Sequence, residues 1–347
     1  VNFTDTSHEY FSINDHDLNF GDGRTGSRTN VTHTYTSTGT YQVQLIITGS
    51  TGCKDTIVKP VFVRVYTIPV VNINPPGSVC ANSSVTLTSV IQSTDTVDMI
   101  EWTAPGQTSG AGANYTITYA NPGTYNIQLI IETNHGCRDT AVQSLTVRAI
   151  PDVVQPNDQF VCNGTSTDLV NFTGSVNNTT YSWTNNNPSI GLAASGTGNI
   201  PVFTGTNNTN SDQTATITIT PDANGCPGTP VSFNITIYPT PSVMQPANQV
   251  VCNWGTTTGI NFTNFTSVVT NAAYSWTNNT PSIGMASSGF GNIPSFTAIN
   301  NTNAPITATL HIQVINNGCP GTPRDFTITV NPTPDVAQPA NQDICNG

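Results

Sequence analysis

The chain has 347 residues, only 8% of them charged, and its formal net charge of −11 comes from scarce basic residues rather than acidic blocks. Lysine occurs at Lys54 and Lys59 alone, so the clustered positive charge that binds nucleic acid is missing and no nucleic-acid partner is expected. No run of 18 apolar residues occurs, so no membrane-inserted helix is expected either.

Val, Ile, Thr and Tyr recur in short alternating runs, and no stretch keeps an amphipathic helical stripe over three turns, so the expected class is all-β. The chain opens in a strand-like segment, Val1-Asn-Phe-Thr4, and its first module, residues 1–67, is expected to lack its natural start. Asp5, Asp15, Asp17 and Asp22 crowd this module. Its strand Gly39-Thr-Tyr41-Gln-Val-Gln-Leu-Ile-Ile47 and turn Gly52-Cys-Lys-Asp-Thr56 return 84 residues later as Gly123-Thr-Tyr125-Asn-Ile-Gln-Leu-Ile-Ile131 and Gly136-Cys-Arg-Asp-Thr140. That defines a second module over residues 68–150.

The next two modules, residues 151–240 and 241–333, are near-copies at an offset of 93. Tyr181-Ser-Trp183-Thr-Asn-Asn returns as Tyr274-Ser-Trp276-Thr-Asn-Asn, and Gly225-Cys-Pro-Gly-Thr-Pro230 as Gly318-Cys-Pro-Gly-Thr-Pro323. Ile217-Thr-Ile219-Thr and Leu310-His-Ile312-Gln-Val314 alternate as half-buried strands do. Each is followed by Asn-Gly (Asn224-Gly225, Asn317-Gly318), the strongest short hairpin signal. Proline-rich joints separate the modules at Pro69, Pro151, Pro239-Thr-Pro241 and Pro332-Thr-Pro334, and residues 334–347 read as the start of a further repeat. Many short strands divided by such turns predict a tandem array of β-sandwiches.

Each complete module has one cysteine at its first strand and one after its hairpin turn. Pairing them in order predicts Cys80–Cys137, Cys162–Cys226 and Cys252–Cys319, loops of 57, 64 and 67 residues by subtraction. Each such loop is worth about 4 kcal/mol by chain entropy. Cys53 and Cys345 are then left unpaired at the two ends, an outcome attributed to truncation. A zinc site lacks support, since no C-x-x-C occurs. Disulfides imply an oxidising, extracellular setting. Trp102, Trp183 and Trp276, one between each pair of cysteines, are expected to pack in the cores against the disulfides.

In the first module, the ordered series Asn19-Phe20-Gly21-Asp22-Gly23, His33-Thr-Tyr35 and Gly39-Thr-Tyr41-Gln-Val43-Gln-Leu45 resembles the PKD domain, an immunoglobulin-like sandwich of surface proteins. Leu18 stands where that family has a tryptophan. The second module keeps Tyr119 and Gly123-Thr-Tyr125, with Thr103-Ala-Pro-Gly106 in place of the glycine-aspartate turn. The Cys162-Asn163 and Cys252-Asn253 openings and the Tyr-Ser-Trp-Thr-Asn-Asn blocks resemble PKD-like repeats of giant Bacteroidota surface adhesins. This resemblance implies a mobile cell-surface filament exported by type IX secretion, partnered by secretion and motility machinery.

The resemblance also implies a calcium option, because some PKD domains take the ion through early carboxylates, here Asp5 and Asp22. No Asp-x-Asp-x-Asp-Gly loop is present, and the alternative is that Asp22 holds a tight turn. Asp-Thr followed by an apolar residue, at Thr56, Thr96 and Thr140, resembles the O-glycosylation sequon of secreted Bacteroidota proteins. The five histidines are scattered and no nucleophile or phosphate loop is present, so neither an enzyme nor a resident cofactor is expected. The expected role is a structural and adhesive stalk whose partners are neighbouring repeats of the same chain. Two alternatives are repeats that grip surfaces or polysaccharide through aromatics such as Trp254 or Phe290, and accessory modules of a secreted hydrolase.

Overall fold

A computed structural model describes residues 1–8, 12–74, 77–262 and 272–344. The chain divides into two compact units, Val1–Ala149 and Ile150–Gly347. Among the described residues, all regular structure is β apart from single 3-10 turns such as Pro188–Ile190 and Pro281–Ile283, as the alternation predicts. Tandem immunoglobulin-like sandwiches are the observed class.

In the first module the strands Ile13–Asn19, Gly39–Gly49 and Lys54–Val65 form a sheet with the short edge Thr25–Gly26, while Asn2–Thr4 pairs with Asn30–Thr32. Phe3, Leu18, Phe20, Val43 and Val63 close a small core, in which Leu18 occupies the place the resembling family gives to tryptophan. The second module packs a five-stranded sheet on a three-stranded one around Trp102, Leu87, Ile127, Leu129 and Leu145.

The third and fourth modules repeat one six-stranded sheet. In the third, Gln159–Cys162 lies parallel to Val231–Tyr238, followed by Gln213–Ala223, Thr180–Asn185 and the edge Ser195–Thr197, with Cys226–Pro227 beside Gln213–Ala223. The opposing layer is irregular chain held by single bridges, Ser166 to Thr204 and Val170 to Ile200, repeated as Thr256 to Thr297 and Ile260 to Ile293. Ala215, Ile217 and Ile219 point into the core, and the threonines between them pair across strands. Thr214 meets Thr236 at 2.9 Å and Thr307 meets Thr329 at 3.0 Å, contacts worth a few tenths of a kcal/mol each.

Asn224 and Asn317 have φ of 56° and 48°, and the glycines after them 81° and 79°. Left-handed values at both central positions suit the twist of a tight hairpin, and Asn-Gly supplies them at little cost. Asparagine has a second use inside the irregular layer. Buried Asn207 donates from Nδ2 to the carbonyls of Ser211 and Ile237 and accepts from Thr209 N. Asn300 does the same with Ala304, Val330 and Thr302. A neutral amide thus satisfies loop backbone groups that a sheet ladder does not reach.

Trp183 and Trp276 lie in their cores beneath the edge strands. The sequences Gly196-Thr-Gly198 and Gly289-Phe-Gly291 read as plain turns, yet Gly196 and Gly289 are sites of close approach: a Cβ there would sit 2.2 and 2.3 Å from the indole rings. Overpacking of this kind costs about 1–3 kcal/mol. Gly289→Ala is expected to lower the stability of the fourth module by that amount, measured by urea unfolding with Trp fluorescence. Among the described residues, no helix is long and apolar enough to cross a membrane.

Candidate functional site

The register of the third module decides where its cysteines can go. Cys162 lies level with Tyr238, the last residue of the closing strand Val231–Tyr238. Cys226 sits in the hairpin that precedes that strand. From Val231 to Tyr238 the strand rises about 23 Å at about 3.3 Å per residue, several times the Cα separation a disulfide spans. Cys252, level with Asn331, is separated in the same way from Cys319, which precedes Arg324–Asn331. Cys80, level with Arg148, is separated from Cys137, which precedes Arg138–Arg148. The expected pairs Cys80–Cys137, Cys162–Cys226 and Cys252–Cys319 are therefore corrected: all three fail because the first strand delivers its cysteine to the end of the module opposite the hairpin.

Cys162 instead bonds Cys319 of the following module, with Cα atoms 5.5 Å apart and 157 residues between them in sequence. Cys80 and Cys226 are also held in disulfides, whereas Cys53, Cys137 and Cys252 are unpaired thiols. Cys345 lies outside the described residues. The tryptophans are buried as expected, but in the cores, with this disulfide at the joint.

Several residues fix the Pro239–Pro241 joint around the bond. Asn163 donates from Nδ2 to Thr240 Oγ1 at 3.1 Å and accepts from Asn207 N at 2.8 Å. Gly321, two residues past Cys319, lies so near the joint that a Cβ would stand 2.1 Å from the Pro241 carbonyl oxygen. In the first unit the hairpin of the second module also meets the joint before it, but through rings. Tyr66 stacks on His135 at 3.7 Å, and Val71 N donates to Asp139 Oδ2 at 2.8 Å. The sequence presents His135 as one of five scattered histidines, and its place beside the hairpin glycine Gly136 is the signal of its role.

The Asn19–Gly23 turn explains the motif it carries. Gly21 has φ of 84° and a Cβ there would meet Gln42 O at 2.2 Å. His33 stacks on Phe20 at 4.0 Å and its Nε2 lies 2.7 Å from Asp22 Oδ2. Loss of water alone would raise the Asp22 carboxyl, but hydrogen bonds from His33 and the Arg24 amide hold it below its ordinary 3.8. Asp5, likewise opposed by burial, is lowered by Ser7 and His16. Both calcium candidates thus have hydrogen-bonding partners in the fold, and no group of three or more His, Cys, Asp or Glu gathers among the described residues. Thr56, Thr96 and Thr140, the glycosylation candidates, are all exposed. Trp102, Trp183 and Trp276 are at most 7% exposed, whereas Trp254 is 66% and Phe290 89% exposed.

Two outcomes follow. A carboxyl depressed in the fold contributes stability that is complete above its unfolded value and is lost as pH falls through the folded one. Hydrogen exchange in peptides of the first module should therefore quicken as pH, corrected for intrinsic exchange, drops below about 4, and Asp22→Asn should flatten that trend. At the joint, Cys162→Ser and Cys319→Ser should each lower the unfolding free energy of the second unit by up to about 5 kcal/mol. The double variant should lose no more than either alone, by urea titration, because the two thiols form one interaction.

No curated protein sequence matches the chain. Among solved structures it is similar to Sidekick-1 immunoglobulin domains 1–4, at 12% identity over 96% of this chain and 94% of that one, with a TM-score of 0.31. It is also similar to mouse cadherin-23 EC22–24, at 16% identity over 76% and 98%, TM-score 0.34. A third likeness is to the fibronectin(III)-like modules of Clostridium thermocellum CbhA, at 14% identity over 49% and 95%, TM-score 0.27. Likenesses this distant carry no functional argument. The sequence match is more specific: the two modules that open the chain match the PKD domain family, over residues 1–65 and 66–149.

Proposed function

We propose that this chain is a tension-carrying segment of an extracellular adhesive stalk, with no catalytic role. The observation that carries the reading is the Cys162–Cys319 bond, which joins successive modules instead of closing one. Tension entering the third module reaches Cys162 and crosses directly to Cys319, so residues 163–318 lie in a covalent loop off the direct path. Fully extended, a loop of that size would add about 500 Å. The bond therefore caps how far two modules can unravel, a property suited to holding a distal tip away from a cell. Disulfides also support an oxidising, extracellular location.

The resemblance of the later repeats to those of giant Bacteroidota adhesins of the SprB kind extends the proposal to a gliding or attachment filament exported by type IX secretion. In that setting Thr56, Thr96 and Thr140, all exposed, are the positions for glycans. A second reading rests on the exposure of Trp254 and Phe290: repeats that themselves grip polysaccharide.

Single-molecule stretching of the whole chain tests the stalk. With Cys80 and Cys226 replaced by serine so that the Cys162–Cys319 bond acts alone, the oxidised chain should fall short of the reduced one by about 500 Å of contour length, and equal lengths would sink the proposal. Beads coated with the chain separate the two readings. Adhesion to glass or polysaccharide films no greater than that of bare beads leaves the stalk in place. Saturable binding lost in Trp254→Ala or Phe290→Ala would give the repeats the gripping role.

A further inference from the structure

Cys252 is an unpaired, exposed thiol, yet its surroundings reproduce those of bonded Cys162 almost atom for atom. Gln249–Cys252 runs parallel to the closing strand with Cys252 level with Asn331, as Gln159–Cys162 runs with Cys162 level with Tyr238. Gln249 clamps Thr258 through both amide ends, as Gln159 clamps Asp168. Asn253 accepts from Asn300 N at 2.8 Å and donates to Thr333 Oγ1 at 2.9 Å, matching the bonds of Asn163 to Asn207 and Thr240. Thr333 lies in the Pro332–Pro334 joint as Thr240 lies in the Pro239–Pro241 joint.

The residue that follows the Cys-Asn pair differs. Where the third module has Gly164, the fourth has Trp254, held at φ of 63° with two thirds of its surface exposed. A left-handed tryptophan is unusual, and here it stands two residues from the thiol. The sequence beyond the joint supplies the continuation: Pro334–Gly347 matches Pro151–Gly164 at nine of fourteen positions, including the Cys-Asn-Gly that ends both segments.

We propose that Cys252 is a covalent docking site for the Asn-Gly-Cys hairpin of a following module of the same repeat, with Trp254 packing against that hairpin. The occupant follows from the joint already described, in which a cysteine so presented takes the hairpin cysteine of the next module. Bond formation needs a disulfide oxidant, for which oxidised glutathione serves. The Cys252 thiolate attacks one glutathione sulfur and expels a glutathione thiolate; the hairpin thiolate then attacks Cys252 sulfur and expels the second. Two protein thiols and one oxidised glutathione thereby become one protein disulfide and two reduced glutathiones. This inference stands independently of the stalk reading, since a docked array could serve any surface role.

The test extends residues 1–347 with residues 165–240, which completes the module begun at Pro334 and supplies a copy of the Cys226 hairpin. A second version appends residues 255–333 and a copy of the Cys319 hairpin, in case one extension folds poorly; a cooperative thermal transition for the added module shows which has folded. Both are oxidised with glutathione, alkylated and mapped by mass spectrometry beside the unextended chain. Cys252 should carry glutathione or the alkyl label in residues 1–347 and neither in a folded extension, appearing instead in a peptide bonded to the added hairpin. Trp254 emission should shift to the blue only in the extended chain. Cys252 remaining alkylated or glutathionylated beside a folded extra module, or bonding Cys319 of its own module, overturns the proposal.

Discussion

Everything at the joints of the later modules depends on the parallel pairing of the strand that ends in a cysteine (Ser78–Cys80, Gln159–Cys162, Gln249–Cys252) with the module's last strand. In the third module that pairing sets Gln159 to Cys162 against Ile235 to Tyr238, so the chain enters the sheet and deposits a cysteine at the exit end. The hairpin after Gln213–Ala223 lies at the entry end. With one thiol at each pole, a rigid sandwich cannot close on itself, but two in series can be joined. The sulfur chemistry is ordinary; the register makes it intermodular.

The joints also show two solutions to one packing problem. Between the first two modules, Tyr66 stacks on His135 beside the hairpin. Between the last two, a disulfide and the Asn163–Thr240 hydrogen bond occupy the corresponding place. The second solution tolerates little variation, because Gly321 leaves no room for a side chain against the Pro241 carbonyl. Proline in the joint and glycine in the hairpin are thus two halves of one fit.

Much of this was legible in the sequence. The period-2 runs around Ile217 and Leu310, the Asn-Gly hairpins and the buried tryptophans follow from local rules about side-chain direction and backbone sterics, which act over a few residues. The cysteine partners did not follow, because order along the chain does not say at which pole of a sheet a residue lies. That depends on a parallel pairing between residues some 76 apart, Gln159 and Ile235, for which no local pattern exists. Nor was the use of asparagine legible: Asn207 and Asn300 are buried scaffolds of the irregular layer, an assignment that needs the loop carbonyls in place.

The span of the Cys162–Cys319 loop also sets a timetable. A chain emerging from its amino end at about 5–20 residues per second needs roughly 8–30 s to present Cys319 after Cys162. During that interval the third module can complete its own sheet, yet its thiol has nothing to join. Closure waits until the hairpin of the fourth module has turned through Asn317-Gly318 and brought its sulfur to the joint. The Cys162–Cys319 link is thus a delayed record that the successor has folded.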